Sequence, residues 1–176
     1  MHAYSVRPAG EQDADLLGRI GPAAYHTAYA YLWDQPEALA AQLATFNAAA
    51  FATLLARPDA RVWVAENKGE AAGFLSLISH SPSPVSQRAG GAEIPRIYLL
   101  PDAQGCGLGR LLLGTAIEYA AAQGMDYLWL DVMASAERAI AAYQRWGFVE
   151  VGRKQFATPV RVGLGEMVVM ELGLVA

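Results

Sequence analysis

Cysteine is almost missing from this chain: Cys106 is the one copy in 176 residues. A lone cysteine makes no internal disulfide, which fits a reducing compartment, so a cytoplasmic location is expected. Histidine is also sparse. His2, His26 and His80 have no metal-ligand spacing, and no zinc pattern, Ser/His/Asp order or carboxylate pair stands out, so no metal is expected. Thirteen Lys and Arg stand against 17 Asp and Glu, for a formal net charge of −4 without any basic run. Nucleic acid is therefore not an expected partner. Apolar residues make up 54% of the chain, yet much of that is alanine in amphipathic patterns. No apolar run reaches the roughly 18 residues of a membrane span. The start Met-His-Ala-Tyr-Ser-Val-Arg has neither the charged nor the apolar region of a signal peptide, so no membrane association is expected.

What is present reads as a single domain over residues 1–176, long enough for one well-buried core. Tyr4 to Arg7 reads as a strand and Glu11 to Tyr31 as a helix, with Leu16, Leu17, Ile20 and Ala24 at helical spacing and Gly21-Pro22 bending or dividing it. Pro36 suits the first turn of a helix over Glu37 to Leu43, and Asn47 caps another that stops before Arg57-Pro58. Arg61 to Glu66 and Ala71 to Ser79 flank the hairpin turn Asn67-Lys68-Gly69-Glu70. After a Ser/Pro/Gly-rich loop from His80 to Gly91, Glu93 to Leu100 is a strand feeding a helix over Leu108 to Gln123, which Gly124 ends. Tyr127 to Met133 returns as a parallel strand, Ala136 to Trp146 is a helix, and Phe148 to Gly152 and Met167 to Leu172 are final strands. The fold class is mixed α/β: a twisted sheet of about six or seven strands flanked by helices.

The richest segment is Leu99-Leu-Pro-Asp-Ala-Gln-Gly-Cys-Gly-Leu-Gly109, an apolar strand turning through glycines into a helix. Glycine permits close backbone approach, and unpaired amides at a helix N-terminus favour an anion such as phosphate. Three motifs compete. A P-loop needs Lys and Ser/Thr after its last glycine, and neither follows Gly109. The dinucleotide pattern Gly-x-Gly-x-x-Gly fits Gly105 and Gly107 but meets Arg110 at its third glycine. The pattern Gln/Arg-x-x-Gly-x-Gly/Ala fits throughout, with Gln104, Gly107 and Gly109.

That last pattern resembles the acyl-CoA pyrophosphate loop of the GNAT superfamily of N-acetyltransferases. A second stretch, Glu137-Arg-Ala-Ile-Ala-Ala-Tyr143-Gln-Arg-Trp-Gly147-Phe148, resembles the other GNAT signature, a tyrosine-bearing helix ending at Gly-Phe. The likeness is firm from about Glu93 to Gly152 and looser over the N-terminal helices, where residues 26 to 66 faintly resemble bacterial polyamine-type acetyltransferases. The resemblance implies a sheet whose central parallel strands splay to admit acetyl-CoA as co-substrate. The backbone of Ile97 and Leu99 would pair with the pantetheine arm, and Gln104, Gly105, Gly107, Gly109 and Arg110 would wrap the pyrophosphate. Arg110 also reads as an ordinary solvated helix-start arginine.

By the same resemblance Tyr143 serves the leaving thiolate, hydrogen-bonding the sulfur and protonating it; taken alone it reads as a core aromatic. An alkyl ammonium must lose a proton before attacking a thioester. Glu93 is the leading candidate for that base, with His80 and Asp131 next; Asp131 alternatively positions a cationic acceptor. The family often carries an asparagine seven residues before the tyrosine, and this chain has Ala136 there. Cys106 reads as a tolerated small loop residue rather than a nucleophile.

Tyr25, His26, Tyr29, Tyr31 and Trp33 crowd the N-terminal helices. Tyr29 and Trp33 are the candidate acceptor contacts, since an aromatic cluster holds an organic cation. The expected activity is acetyl transfer to a primary amine of a small molecule, polyamine-like or amino-acid-like, or of a peptide. A non-catalytic acyl-CoA-binding module and, behind it, a nucleotide or dinucleotide binder remain as alternatives, and a homodimer stays open.

Overall fold

Lys68 and Gly69 both take positive φ, 53° and 82°, and turn the chain between two antiparallel strands where Asn67-Lys68-Gly69-Glu70 predicts a hairpin. The computed structural model describes residues 3–175. Its first part contains β1 (Tyr4–Pro8), α1 (Ala14–Tyr29), α2 (Pro36–Ala44), α3 (Ala48–Leu55), β2 (Ala60–Asn67) and β3 (Glu70–Ile78). There follow β4 (Gly91–Leu99), α4 (Leu108–Ala122), β5 (Tyr127–Met133), α5 (Glu137–Arg145), β6 (Val149–Gln155) and β7 (Glu166–Gly173). Short 3-10 turns lie at Glu11–Asp13, Ala30–Leu32 and Pro101–Ala103. The seven strands pair in the order β1-β2-β3-β4-β5-β7-β6, a mixed sheet as expected.

The chain divides into two compact units, and β4 passes from one to the other between Pro95 and Arg96. In the first, which runs to Leu77 and resumes over Arg96–Ala116, β1 pairs antiparallel with β2 from Tyr4↔Asn67 to Pro8↔Trp63. Arg7 anchors this edge: Nε donates to Glu66 at 2.7 Å and an Nη to Asp13 at 2.9 Å. Asp13 also accepts the Gly10 amide at 2.8 Å. The core holds Leu17, Phe46, Phe51, Val64, Phe74 and Leu75, all essentially inaccessible to water. Asn47 caps α3 as expected, its side chain accepting the Ala50 amide at 2.8 Å.

Gly21-Pro22 does not divide α1, which runs unbroken with Pro22 inside it. The glycines serve packing instead. A Cβ on Gly18 would come within 2.6 Å of the Ala48 backbone, and one on Gly21 within 2.9 Å of the Phe51 ring, so α3 approaches α1 at a distance that only glycine permits. The stretch Pro36–Leu55 has a mean hydropathy of 1.5, enough in length and composition to cross a membrane. Here it is two helices of 9 and 8 residues, with the Asn47 cap between them. Neither alone approaches the roughly 20 residues a span requires.

The second unit comprises Ile78–Pro95 and the chain from Ile117 onward. The start of β4 runs parallel to β5 over Gly91↔Tyr127, Ala92↔Leu128 and Glu93↔Trp129. β5 pairs along its whole length with β7, from Tyr127↔Gly173 to Met133↔Met167. β6 runs to Gln155, beyond the expected Gly152, and its pairing with β7 is bulged between Glu150 and Gly152. The polar loop after β3 is pinned to these strands. The Tyr127 hydroxyl accepts the Ser83 amide at 3.0 Å and donates to the Arg88 carbonyl at 2.7 Å. The Arg88 guanidinium lies 4.3 Å from the centre of the Tyr127 ring, and with Ser86 it donates to the buried Glu171 carboxylate.

Candidate active site

The glycine loop begins where β4 ends, and its backbone turns away from the sheet in a few residues. The Leu100 amide donates to Ala72 at 2.8 Å, and Pro101, which has no amide, opens the 3-10 turn. Gly105 and Gly107 then take φ of 77° and 86°, conformations that cost an L side chain about 1–2 kcal/mol. The first intrahelical bond of α4 follows, from the Leu111 amide to Gly107 at 3.1 Å. No atom lies within 4 Å of a Cβ built on Gly105 or Gly107. Among the described residues, then, nothing crowds the loop at the point where the free amides of the helix start gather. That geometry fits a pyrophosphate.

Of the expected loop contacts, Gln104, Gly105, Gly107 and Arg110 are exposed, while Gly109, Ile97 and Leu99 are half-buried. The Gln104 side chain bends back to the Leu99 carbonyl at 3.4 Å. Cys106 points its thiol at the Ala103 carbonyl, with Sγ 2.9 Å from the oxygen, and thus closes the loop on itself.

In the second unit α5 carries Tyr143, 9% exposed, its ring edge-on to Trp146 and Phe148 at 6.0 and 5.8 Å. Gly147 at φ 101° turns the chain so that the Phe148 amide returns to the Tyr143 carbonyl at 3.0 Å. Burial pushes the Tyr143 phenol well above its ordinary pKa, so the hydroxyl holds its proton. Ala136, at the N-cap of α5, provides no side-chain cap.

Glu93 is half-buried in the parallel section of β4, opposite Trp129, and accepts from the Ser81 hydroxyl at 3.2 Å. The Trp129 indole in turn donates to the Ser81 carbonyl at 2.7 Å. His80 is exposed beside this pair at φ 56°. Asp131, two residues beyond Trp129 on β5, is ion-paired with Lys154 of β6. Ser81, Trp129 and Lys154 carried no sequence signal, because each acts through a partner distant in the chain.

In the first unit Tyr29 packs on Tyr25 at 5.4 Å and Tyr98 at 6.0 Å. Trp33 is buried, its indole donating to the Tyr25 hydroxyl at 3.1 Å. His26 and Tyr31 are exposed. Sequence reading passed over Arg96, whose guanidinium stacks 3.7 Å from the centre of the Phe46 ring; a charged residue inside the apolar strand Ile94-Pro-Arg-Ile-Tyr98 was the available signal. A separate cleft of about 420 Å³ is lined by Arg7, Arg19, Glu66, Glu70 and Leu100, among others, and by none of the residues expected at the site.

A model of the acetyltransferase (GNAT) family matches residues 25–148. The chain is 36% identical over 89 residues to mycothiol acetyltransferase of Amycolatopsis mediterranei (strain U-32), covering 49% of this chain and 29% of that protein. It is 39% identical over 81 residues to the ribosomal protein bS18-alanine N-acetyltransferase of Salmonella typhimurium (strain LT2), covering 46% of this chain and 55% of that one. These curated relatives are thus matched over only 29% and 55% of their length. Among solved structures, the PaiA N-acetyltransferase of Thermoplasma acidophilum, in complex with coenzyme A, aligns over 98% of this chain and 99% of its own, with a TM-score of 0.76. At 19% identity that similarity shows the fold alone. With its family match extending from Tyr25 to Phe148, across the glycine loop and the Tyr143 helix, the chain belongs to the acetyltransferase (GNAT) family.

Proposed function

We propose that the chain transfers acetyl from acetyl-CoA to a primary amine by direct attack within a ternary complex. The observation that carries this reading is the buried Tyr143 phenol, kept protonated on the helix that bears the family's second signature. A free thiol titrates near 8.5 and a phenol near 10. Burial widens that gap, so Tyr143 serves the departing sulfur first as a hydrogen-bond donor, and complete transfer of its proton is uphill. Glu93 takes the first proton of the incoming ammonium, the amine nitrogen bonds to the thioester carbon, the carbon–sulfur bond breaks, and the nitrogen's second proton goes to the departing thiolate. Ser81 holds the carboxylate for that step.

Acetyl-CoA is supported as the donor by the open space at Gly105 and Gly107 and by the family match. The β4–β5 ladder, which ends at Glu93↔Trp129 before Ile97 and Leu99 are reached, leaves their backbone to pair with the pantetheine arm. Ala136 favours a second reading, a non-catalytic acyl-CoA-binding module, because it removes a side-chain amide from the cofactor. One neutral hydrogen bond is worth about 0.5–1.5 kcal/mol, which weakens binding without abolishing it. The lone cysteine supports a cytoplasmic location. Release of free CoA in the presence of pooled amines tests the proposal; binding without amine-dependent release supports the second reading.

A further inference from the structure

In the second unit the segment from Ser81 to Gly91 is a closed loop, its ends joined where the Ser81 amide donates to the Gly91 carbonyl at 2.9 Å. Its one large aliphatic side chain, Val85, is 41% exposed, so hydrogen bonds rather than packing set the loop's position. Those bonds run to one face of the sheet. The pairs Glu93↔Trp129 and Trp129↔Glu171 put these three residues in one row across β4, β5 and β7, and directly opposed side chains share a face. At its mouth the loop presents the Ser81 hydroxyl to Glu93. At its far end Ser86 and Arg88 donate to the same oxygen of Glu171, at 3.2 and 3.1 Å. The other oxygen, Oε2, is buried and meets no donor among the described residues.

Among those residues Arg88 is therefore the one cation paired with a carboxylate that is only 6% exposed. Arg88 is held at both ends, its guanidinium over the Tyr127 ring and its carbonyl on the Tyr127 hydroxyl. Without the guanidinium, Glu171 is a buried charge without compensation, and lifting the loop to admit water relieves it. Pro82 and Pro84 fix φ just after Ser81, so a shift of the far end is carried to the mouth. We propose that Arg88 is a positioning residue for acetyl transfer: clamped on Glu171, it holds the loop that presents Ser81 to Glu93. This rests on the reading above in which Glu93 takes the amine's proton, and adds the residues that keep it in place.

The test is a double-mutant cycle on amine-dependent CoA release, with Arg88→Ala made in the wild-type and in the Glu93→Gln background. In the wild-type background kcat is expected to fall about 10-fold with the KM for acetyl-CoA unchanged, the scale of a misplaced base. In Glu93→Gln the same change is expected to cost less than about 2-fold, because no base remains to be positioned. Arg88→Lys, which keeps a cation for Glu171, recovers most of the rate. The double variant Arg88→Ala/Glu171→Gln leaves no buried charge unpaired; it is expected to show the same loss and replaces Arg88→Ala if that protein does not melt cooperatively. Equal fold-losses in the two backgrounds mark a merely structural role, and they overturn the inference, as does wild-type turnover in Arg88→Ala beside a defective Glu93→Gln; both leave Glu93 standing. Wild-type turnover in Glu93→Gln itself overturns the base assignment and this inference with it.

Discussion

The indole of Trp129 donates to the carbonyl of Ser81 at 2.7 Å, and so fixes the residue whose hydroxyl reaches Glu93 at 3.2 Å. Trp129→Phe keeps an aromatic ring in the Tyr127 and Val169 cluster while removing this bond and part of the buried indole. The expected cost in stability is about 2 kcal/mol, one hydrogen bond plus the lost packing, read from chemical denaturation. Turnover is expected to fall with the KM for acetyl-CoA unchanged, since Glu93 rather than the cofactor loses its support. Wild-type turnover in a variant destabilised by that amount would detach Ser81 from the reaction.

Glu93→Gln is expected to produce a defect that shrinks as pH rises. Alkaline solution provides the free amine that the carboxylate otherwise generates from the ammonium. The pH–rate profiles of variant and wild type should therefore converge between about pH 6 and 9, on the way toward the amine's own titration near 10.4. Parallel profiles across that range would remove Glu93 as the base and move attention to His80.

Tyr143→Phe removes one hydroxyl and leaves the packing on Trp146 and Phe148. Turnover should drop by about 10²-fold, the scale of losing one donor aimed at developing negative charge, with little change in cofactor affinity. The phenol also makes a pH prediction. Its folded pKa is raised above the unfolded value of about 10, so its contribution to stability is complete below that pH and is lost as pH rises further. Thermal melts should therefore fall less steeply above about pH 10 in Tyr143→Phe than in the wild-type protein. Coincident alkaline curves would contradict the burial of the ionisable group.

Gly107 and Gly69 form a controlled pair, with φ of 86° and 82° and no atom within 4 Å of a built Cβ at either position. Alanine at each costs about 1–2 kcal/mol of backbone strain. Melting temperature should fall similarly in both variants, while stabilisation by acetyl-CoA is lost only in Gly107→Ala, whose methyl group enters the pyrophosphate position. Equal stabilisation of the two by acetyl-CoA would place the cofactor elsewhere.

Local chemistry was readable from the chain. Asn47 capped its helix, Lys68-Gly69 turned its hairpin and Gly124 ended α4 at positive φ, because each outcome depends on a few adjacent residues. Features set by distant partners were not. Gly21-Pro22 looked like a bend or break in the helix because the close approach of Phe51 to Gly21, like that of Ala48 to Gly18, is invisible in a linear pattern. The pairing of Asp131 with Lys154 was hidden because Lys154 lies on a strand reached only through β7. Arg96 was overlooked for the same reason: its meaning comes from Thr45 and Phe46, some 51 residues earlier for Thr45.

Amine-dependent CoA release tests the central claim most directly. Purified protein is given acetyl-CoA with and without an amine pool of free amino acids, dipeptides, their amides and diamines, and free thiol is followed while mass spectrometry identifies the product. The account predicts thiol release that requires an amine, stoichiometric appearance of an N-acetylated acceptor, and loss of both in Tyr143→Phe by about 10²-fold. Tight acetyl-CoA binding with no amine-dependent thiol release would contradict it and identify the chain as an acyl-CoA-binding module.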